Sequence, residues 1–84
     1  MKMIKAFVMA KIGTTEYLGS VKTAREEVAK IPRVLNVYTV FGGYDLIVEV
    51  EAGSLSELSR LVADKIRSIS GVVSTETYIC YEPA

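Results

Sequence analysis

An internal echo narrows the folds open to this sequence. Val8, Ala24, Val28, Ile31 and Val34 recur 38 positions later as Leu46, Val62, Ile66, Ile69 and Val72. The segments Ile31-Pro-Arg-Val34 and Ile69-Ser-Gly-Val72 fall at the same point of each half, where a helical spacing of apolar residues gives way to a strand-like one. A chain of 84 residues has room for one domain, here spanning 1–84, made of two such halves.

Each half reads as strand, helix, strand. From Ile4 to Ile12 the apolar row Ile4, Ala6, Val8, Ala10, Ile12 alternates with the mixed row Lys5, Phe7, Met9, Lys11, which is the period of a strand with one buried face. Gly13-Thr14-Thr15 reads as a turn. Tyr17, Val21, Ala24, Val28 and Ile31 then recur at spacings of three and four, predicting a helix that starts near Leu18 or Ser20. Pro32 ends it near Ile31, because proline disfavours the helical conformation of the residue before it. Val34 to Phe41 is a second strand, and Leu46 to Ala52 a third with Leu46, Val48 and Val50 inward. Ser54-Leu-Ser-Glu57 has the form of a capping box and opens a second helix, whose buried face is Leu55, Leu58, Leu61, Val62, Ile66 and Ile69. Gly71 stops it, and Val72 to Tyr81 is the last strand. The order βαββαβ is that of an α+β, ferredoxin-like domain. Right-handed crossovers put both helices on one face of a four-stranded antiparallel sheet.

The opposite face of that sheet is then left uncovered. It carries Lys5, Phe7, Met9, Lys11, Ile47, Glu49 and Glu51, with Tyr38 from a flanking strand. A solvated sheet face is ordinarily polar, and Phe7, Met9, Ile47 and Tyr38 break that rule. An exposed apolar patch marks an interaction surface. Small domains also gain robustness from partner subunits. We therefore expect self-association through these four residues.

Composition removes several classes of function. Half of the residues are hydrophobic, too many for a disordered tail, and the formal net charge is zero, whereas a nucleic-acid binder carries a basic excess to replace phosphate counterions. Histidine is absent and Cys80 is alone, so an intrachain disulfide is impossible and no metal or cofactor is expected. Lys5 and Lys11 interrupt the amino-terminal apolar run, which reads as a strand and not a signal peptide, and no stretch reaches the roughly 18 apolar residues of a membrane span. A cytoplasmic protein with no membrane partner is expected. The His-dependent couples of acid–base or nucleophilic catalysis are missing, so we expect no enzyme.

The segment Phe41-Gly42-Gly43-Tyr44-Asp45 has two readings. Paired glycines between apolar strands signal a hairpin whose primed turn needs positive φ. Glycines also let backbone N–H groups approach an anion, and a neighbouring carboxylate can hold an ammonium. Asp45 is accordingly either a turn-capping carboxylate or one end of a site for a free α-amino acid. Thr75 and Thr77 supply hydroxyls on the last strand, where ordinary cross-strand pairing also accounts for them.

Two segments carry a family resemblance. Val40-Phe-Gly-Gly-Tyr-Asp-Leu-Ile-Val48 resembles the strand–turn–strand of the effector-binding domain of the leucine-responsive/asparagine (Lrp/AsnC) regulators. Ile69-Ser-Gly-Val72-Val-Ser-Thr-Glu-Thr77 resembles the exit of its second helix and its last strand, so the likeness runs through nearly the whole chain. The resemblance implies a homodimer formed through the sheets and higher, octamer-like rings. It also implies an amino-acid effector held near Gly42, Gly43, Tyr44 and Asp45 together with Thr75 and Thr77. The helix-turn-helix of full-length regulators is not expected here, since residue 1 adjoins the first strand, and direct nucleic-acid contact is not implied. The stretch Thr14 to Ser20 is longer than the usual turn of the family. The resemblance points to an amino-acid-binding module that modulates full-length regulators of the family by co-assembly. The alternatives are a ligand-independent oligomerisation adaptor and a small dimeric α+β-barrel enzyme.

Overall fold

Period-two patterning in the first and third strands becomes two continuous walls of the core in the computed structural model, which describes residues 3–13 and 17–81. β1 (Ile4–Ile12) buries Ala6, Val8, Ala10 and Ile12, and β3 (Leu46–Ala52) buries Leu46, Val48, Val50 and Ala52. These strands pair antiparallel at the centre of the sheet, with Val8 opposite Val48. β2 (Val34–Thr39) flanks β3 and β4 (Val72–Ile79) flanks β1, giving the order β2-β3-β1-β4.

Both helices cover the same face. α1 (Tyr17–Ala29) contributes Val21, Ala24 and Val28 to the core. α2 (Leu55–Arg60) contributes Leu58 and continues as a π-helical turn (Leu61–Ile66) that contributes Leu61 and Ile66. The architecture is the α+β, ferredoxin-like one expected from the echo. The predicted turn at Thr14-Thr15, the long connection that follows it and the side chain of Tyr17 lie outside the described residues. β2 and β4 end two residues earlier than the sequence suggested, at Thr39 and Ile79. Among the described residues no helix is long and apolar enough to cross a membrane.

The capping signal at Ser54 is used, with a shift. The Glu57 amide donates to Ser54 Oγ at 3.0 Å, as in a capping box, but the Glu57 carboxylate reaches back to the Gly53 amide (3.2 Å). It thereby secures the residue before the cap and ties the β3–α2 connection to the helix.

The echo extends to backbone strain. Arg33 (φ 80°) and Gly71 (φ 95°) occupy equivalent places in the two halves. Their turns are closed alike, by Val34 N–H to Ile31 C=O (3.2 Å) and Val72 N–H to Ile69 C=O (3.1 Å). A side chain in the left-handed region costs roughly 1–2 kcal/mol, a cost the second half avoids with glycine. Gly71→Ala is expected to lower the unfolding free energy by that amount in urea melts. Arg33→Gly is expected to stay within about 1 kcal/mol of wild type, since relief of strain offsets the flexibility of glycine and the loss of a half-exposed Arg33–Glu57 ion pair (3.3 Å). Equal losses at the two sites would show that the turns are not equivalent.

Candidate functional site

The connection between β2 and β3 is closed by the Val40 amide donating to Asp45 C=O at 2.9 Å and by the Asp45 amide donating to Ala10 C=O at 2.9 Å. The β1–β3 ladder ends at the pair Ala10–Leu46, and β4 bulges against β1 at Val73, between the pairs Lys11–Ser74 and Ile12–Val72. Beyond the ladder the Ile12 amide has no strand carbonyl to meet, and it donates instead to Asp45 Oδ2 at 2.7 Å. Asp45 is only 2% exposed. Its carboxylate receives the amide left free at the end of β1, a donor 33 residues away in the chain.

The paired glycines correct one expectation. Neither Gly42 nor Gly43 has positive φ; among the described glycines only Gly71 does. The loop spans Val40 to Asp45 instead of a two-residue primed turn, and its length removes the need for mirror-image backbone angles. Nothing lies within 4 Å of the position a Cβ would take on either glycine. Neither dihedral strain nor packing inside this chain requires glycine there.

The other expected ligand residues divide between the two sheet faces. Thr75 and Thr77 pair with Ala10 and Val8, so they face the helices. They form the floor of an open groove of about 310 Å³ between β4 and the second helix, walled by Leu55, Leu58, Val62 and Ile79. Ser59 and Arg67 also line it, and the sequence reading missed both. Tyr44 points to the opposite face, where its hydroxyl donates to Glu76 Oε1 at 2.8 Å. One chain alone therefore does not bring Tyr44 together with Thr75 and Thr77.

The uncovered face is ordered in rows across the strands. Tyr38, Ile47, Met9 and Glu76 make one, and Asn36, Glu49, Phe7 and Tyr78 the next. Phe7, Met9 and Ile47 are half-buried, while Tyr38 and Tyr78 are about half exposed, at 50% and 53%. Glu49 joins the apolar rows to a polar network, accepting from Asn36 Nδ2 at 2.8 Å and pairing with Lys5 Nζ at 2.7 Å. All four residues expected at an interface thus share this face.

These contacts shift ionisation in a consistent sense. The Lys5 hydrogen bond, then that of Asn36, holds the Glu49 carboxyl below its ordinary value, while hydrogen bonding to Glu49 raises Lys5. The Glu76 carboxylate raises both Tyr44 and Tyr78. A lowered carboxyl stabilises the folded face above the ordinary value of 4.5, and that contribution disappears as pH falls through the folded-state value. The raised groups act in reverse. Their contribution is complete below 10.5 for Lys5 and 10.0 for the tyrosines and is lost as pH rises beyond. Stability is expected to be flat around neutrality and to fall at both extremes. In urea melts across pH, Glu49→Gln should flatten the acid limb; a profile identical to wild type would remove Glu49 as its source.

Comparison with known proteins agrees with this fold. The Lrp/AsnC ligand binding domain family matches residues 5–84. An uncharacterised HTH-type transcriptional regulator of Pyrococcus abyssi is 40% identical over 57 residues, which are 68% of this chain and 38% of that protein. The chain thus spans well under half the length of that regulator. The crystal structure of TTHA0845 from Thermus thermophilus is 34% identical, with a TM-score of 0.86 and 98% of each chain covered. The Neisseria meningitidis transcriptional regulator NMB0573, solved as an L-Met complex, shares the fold at 24% identity and a TM-score of 0.76, covering 94% of this chain and 50% of that one. With a family match over all but its first residues and the expected sheet order, this chain belongs to the Lrp/AsnC family, as a ligand-binding domain.

Proposed function

We propose that this chain is an effector-sensing module that binds a small amino acid as an oligomer and modulates transcription regulators of its own family by co-assembling with them in the cytoplasm. The observation that carries this reading is the state of Gly42 and Gly43. Both are exposed, neither has positive φ, and no atom of the chain crowds them. What still calls for glycine is close approach of something from outside, a ligand or a second copy. Membership of a ligand-binding family and the L-Met complex of a fold relative favour an amino acid. Because Thr75 and Thr77 face the helices while Tyr44 lies on the other side of the sheet, the loop and the groove meet at one ligand only if different copies supply them. The apolar rows of Phe7, Met9, Ile47 and Tyr38 suit sheet-to-sheet pairing of copies, from which larger rings can grow.

Thermal melts against each of the twenty amino acids at millimolar concentration test the reading. Ligand at about 100 times its dissociation constant stabilises by about 2.7 kcal/mol, a plain shift in a domain of this size. No shift with any amino acid overturns it. The commitment of Asp45 to the Ile12 amide favours one second reading, a ligand-independent adaptor, since it withdraws the expected ammonium partner from the surface. That adaptor would co-purify with a full-length relative to the same extent with or without amino acid.

A further inference from the structure

We propose that the groove between α2 and β4 recognises the carboxylate end of an aliphatic acid, with Arg67 as its anchor, and that it needs no ammonium group on the ligand. This rests on the reading of the groove as a ligand site and departs from it in the charge asked of the ligand. The walls of the groove are short aliphatic side chains. Its polar groups are the Arg67 guanidinium and the hydroxyls of Ser59, Thr75 and Thr77. No acidic side chain lines it, and Asp45 is buried and engaged elsewhere. A guanidinium binds a carboxylate through paired N–H donors, and hydroxyls supply further donors to the same oxygens. An ammonium finds no opposite charge here. Among the described residues Arg67 makes no ion pair or side-chain hydrogen bond, and neither do the hydroxyls of Ser59, Thr75 and Thr77.

The π-helical turn is the second observation. The Arg67 amide donates to Val62 C=O at 2.9 Å, five residues back. In a continuing α-helix Arg67 would sit beside Ala63, four residues back, but about 140° from Val62. The wider turn brings Arg67 over Val62 as well, so that it lines the groove with both Val62 and Ala63, while Ile66 is fully buried. π-Turns inside helices are frequent at functional sites.

The walls suit a short branched chain, so the probes are L-leucine, its keto analogue α-ketoisocaproate and its amine analogue isoamylamine, followed by the amide spectrum of the full chain and by thermal melts. α-Ketoisocaproate is expected to move the amides of Val62, Ala63, Thr75 and Thr77 and to raise the melting temperature, and isoamylamine to do neither. Arg67→Gln should weaken keto-acid binding at least tenfold and Arg67→Lys less, with unchanged melting of the free protein because Arg67 is exposed. If L-leucine binds and α-ketoisocaproate does not, the ammonium is essential and the anchor assignment falls, while the amino-acid reading stands. If α-ketoisocaproate binds and no amino acid does, the anchor stands and the amino-acid reading falls. Undiminished keto-acid binding by Arg67→Gln, or no response to any probe, overturns the assignment.

Discussion

Asp45→Ala is expected to lower the unfolding free energy by about 2–3 kcal/mol, a fall in melting temperature of roughly 10–20 °C for a domain of this size. The loss has two parts. The charge-assisted bond to the Ile12 amide disappears, and that amide is left in a place where the carboxylate had excluded water. Asp45→Asn keeps an acceptor of the same shape and should recover about half of the loss. The effect has a local signature as well. Hydrogen exchange should accelerate first at Ile12 and Val40, whose amides meet the Asp45 carboxylate and carbonyl. Should Asp45→Ala melt like wild type, the carboxylate is not what holds the Ile12 amide, and its claim to a ligand ammonium becomes the stronger one.

Ile66→Ala should cost more, about 3–4 kcal/mol, because a fully buried branched side chain is removed from beneath the second helix. That is a large share of the 5–15 kcal/mol that holds most domains folded. Ile66 also ends the π-helical turn, so its loss should loosen the side of the groove that carries Val62, Ala63 and Arg67. Ile66→Val, which keeps most of the volume, is expected to cost only about 1 kcal/mol. A second comparison is Ile69→Ala. That residue is half-buried and packs on the edge of the core, so its truncation should cost clearly less than that of Ile66. Similar losses at the two positions in urea melts would contradict the description of where the core sits.

Much of the fold was legible in the chain because burial has a period. Ala6, Val8 and Ala10 alternate with Phe7 and Met9 in sequence, and strand geometry turns alternation into two faces whatever the neighbours are. The echo between Arg33 and Gly71 was equally readable as a helix-to-strand turn that occurs twice, whereas the positive φ at Arg33, a residue with a side chain, was not. The resemblance carried by Val40 to Val48 and by Ile69 to Thr77 named the family because it rests on residues at fixed spacing along the chain.

The site was a different matter. Register across strands, with Thr75 opposite Ala10 and Thr77 opposite Val8, decided that these two face the helices and that Glu76 meets Tyr44 on the other side. A shift of one residue would have exchanged the two rows, and no local pattern in β4 forbids that shift. Burial of Asp45 beside the Ile12 amide joins residues 33 positions apart, so no spacing could announce it. The place of Arg67 over Val62 depends on one i→i−5 bond, which an α-helical count does not announce. Periodicity along the chain is a local property and survives any packing, whereas each of these contacts depends on how two distant elements come to rest against each other.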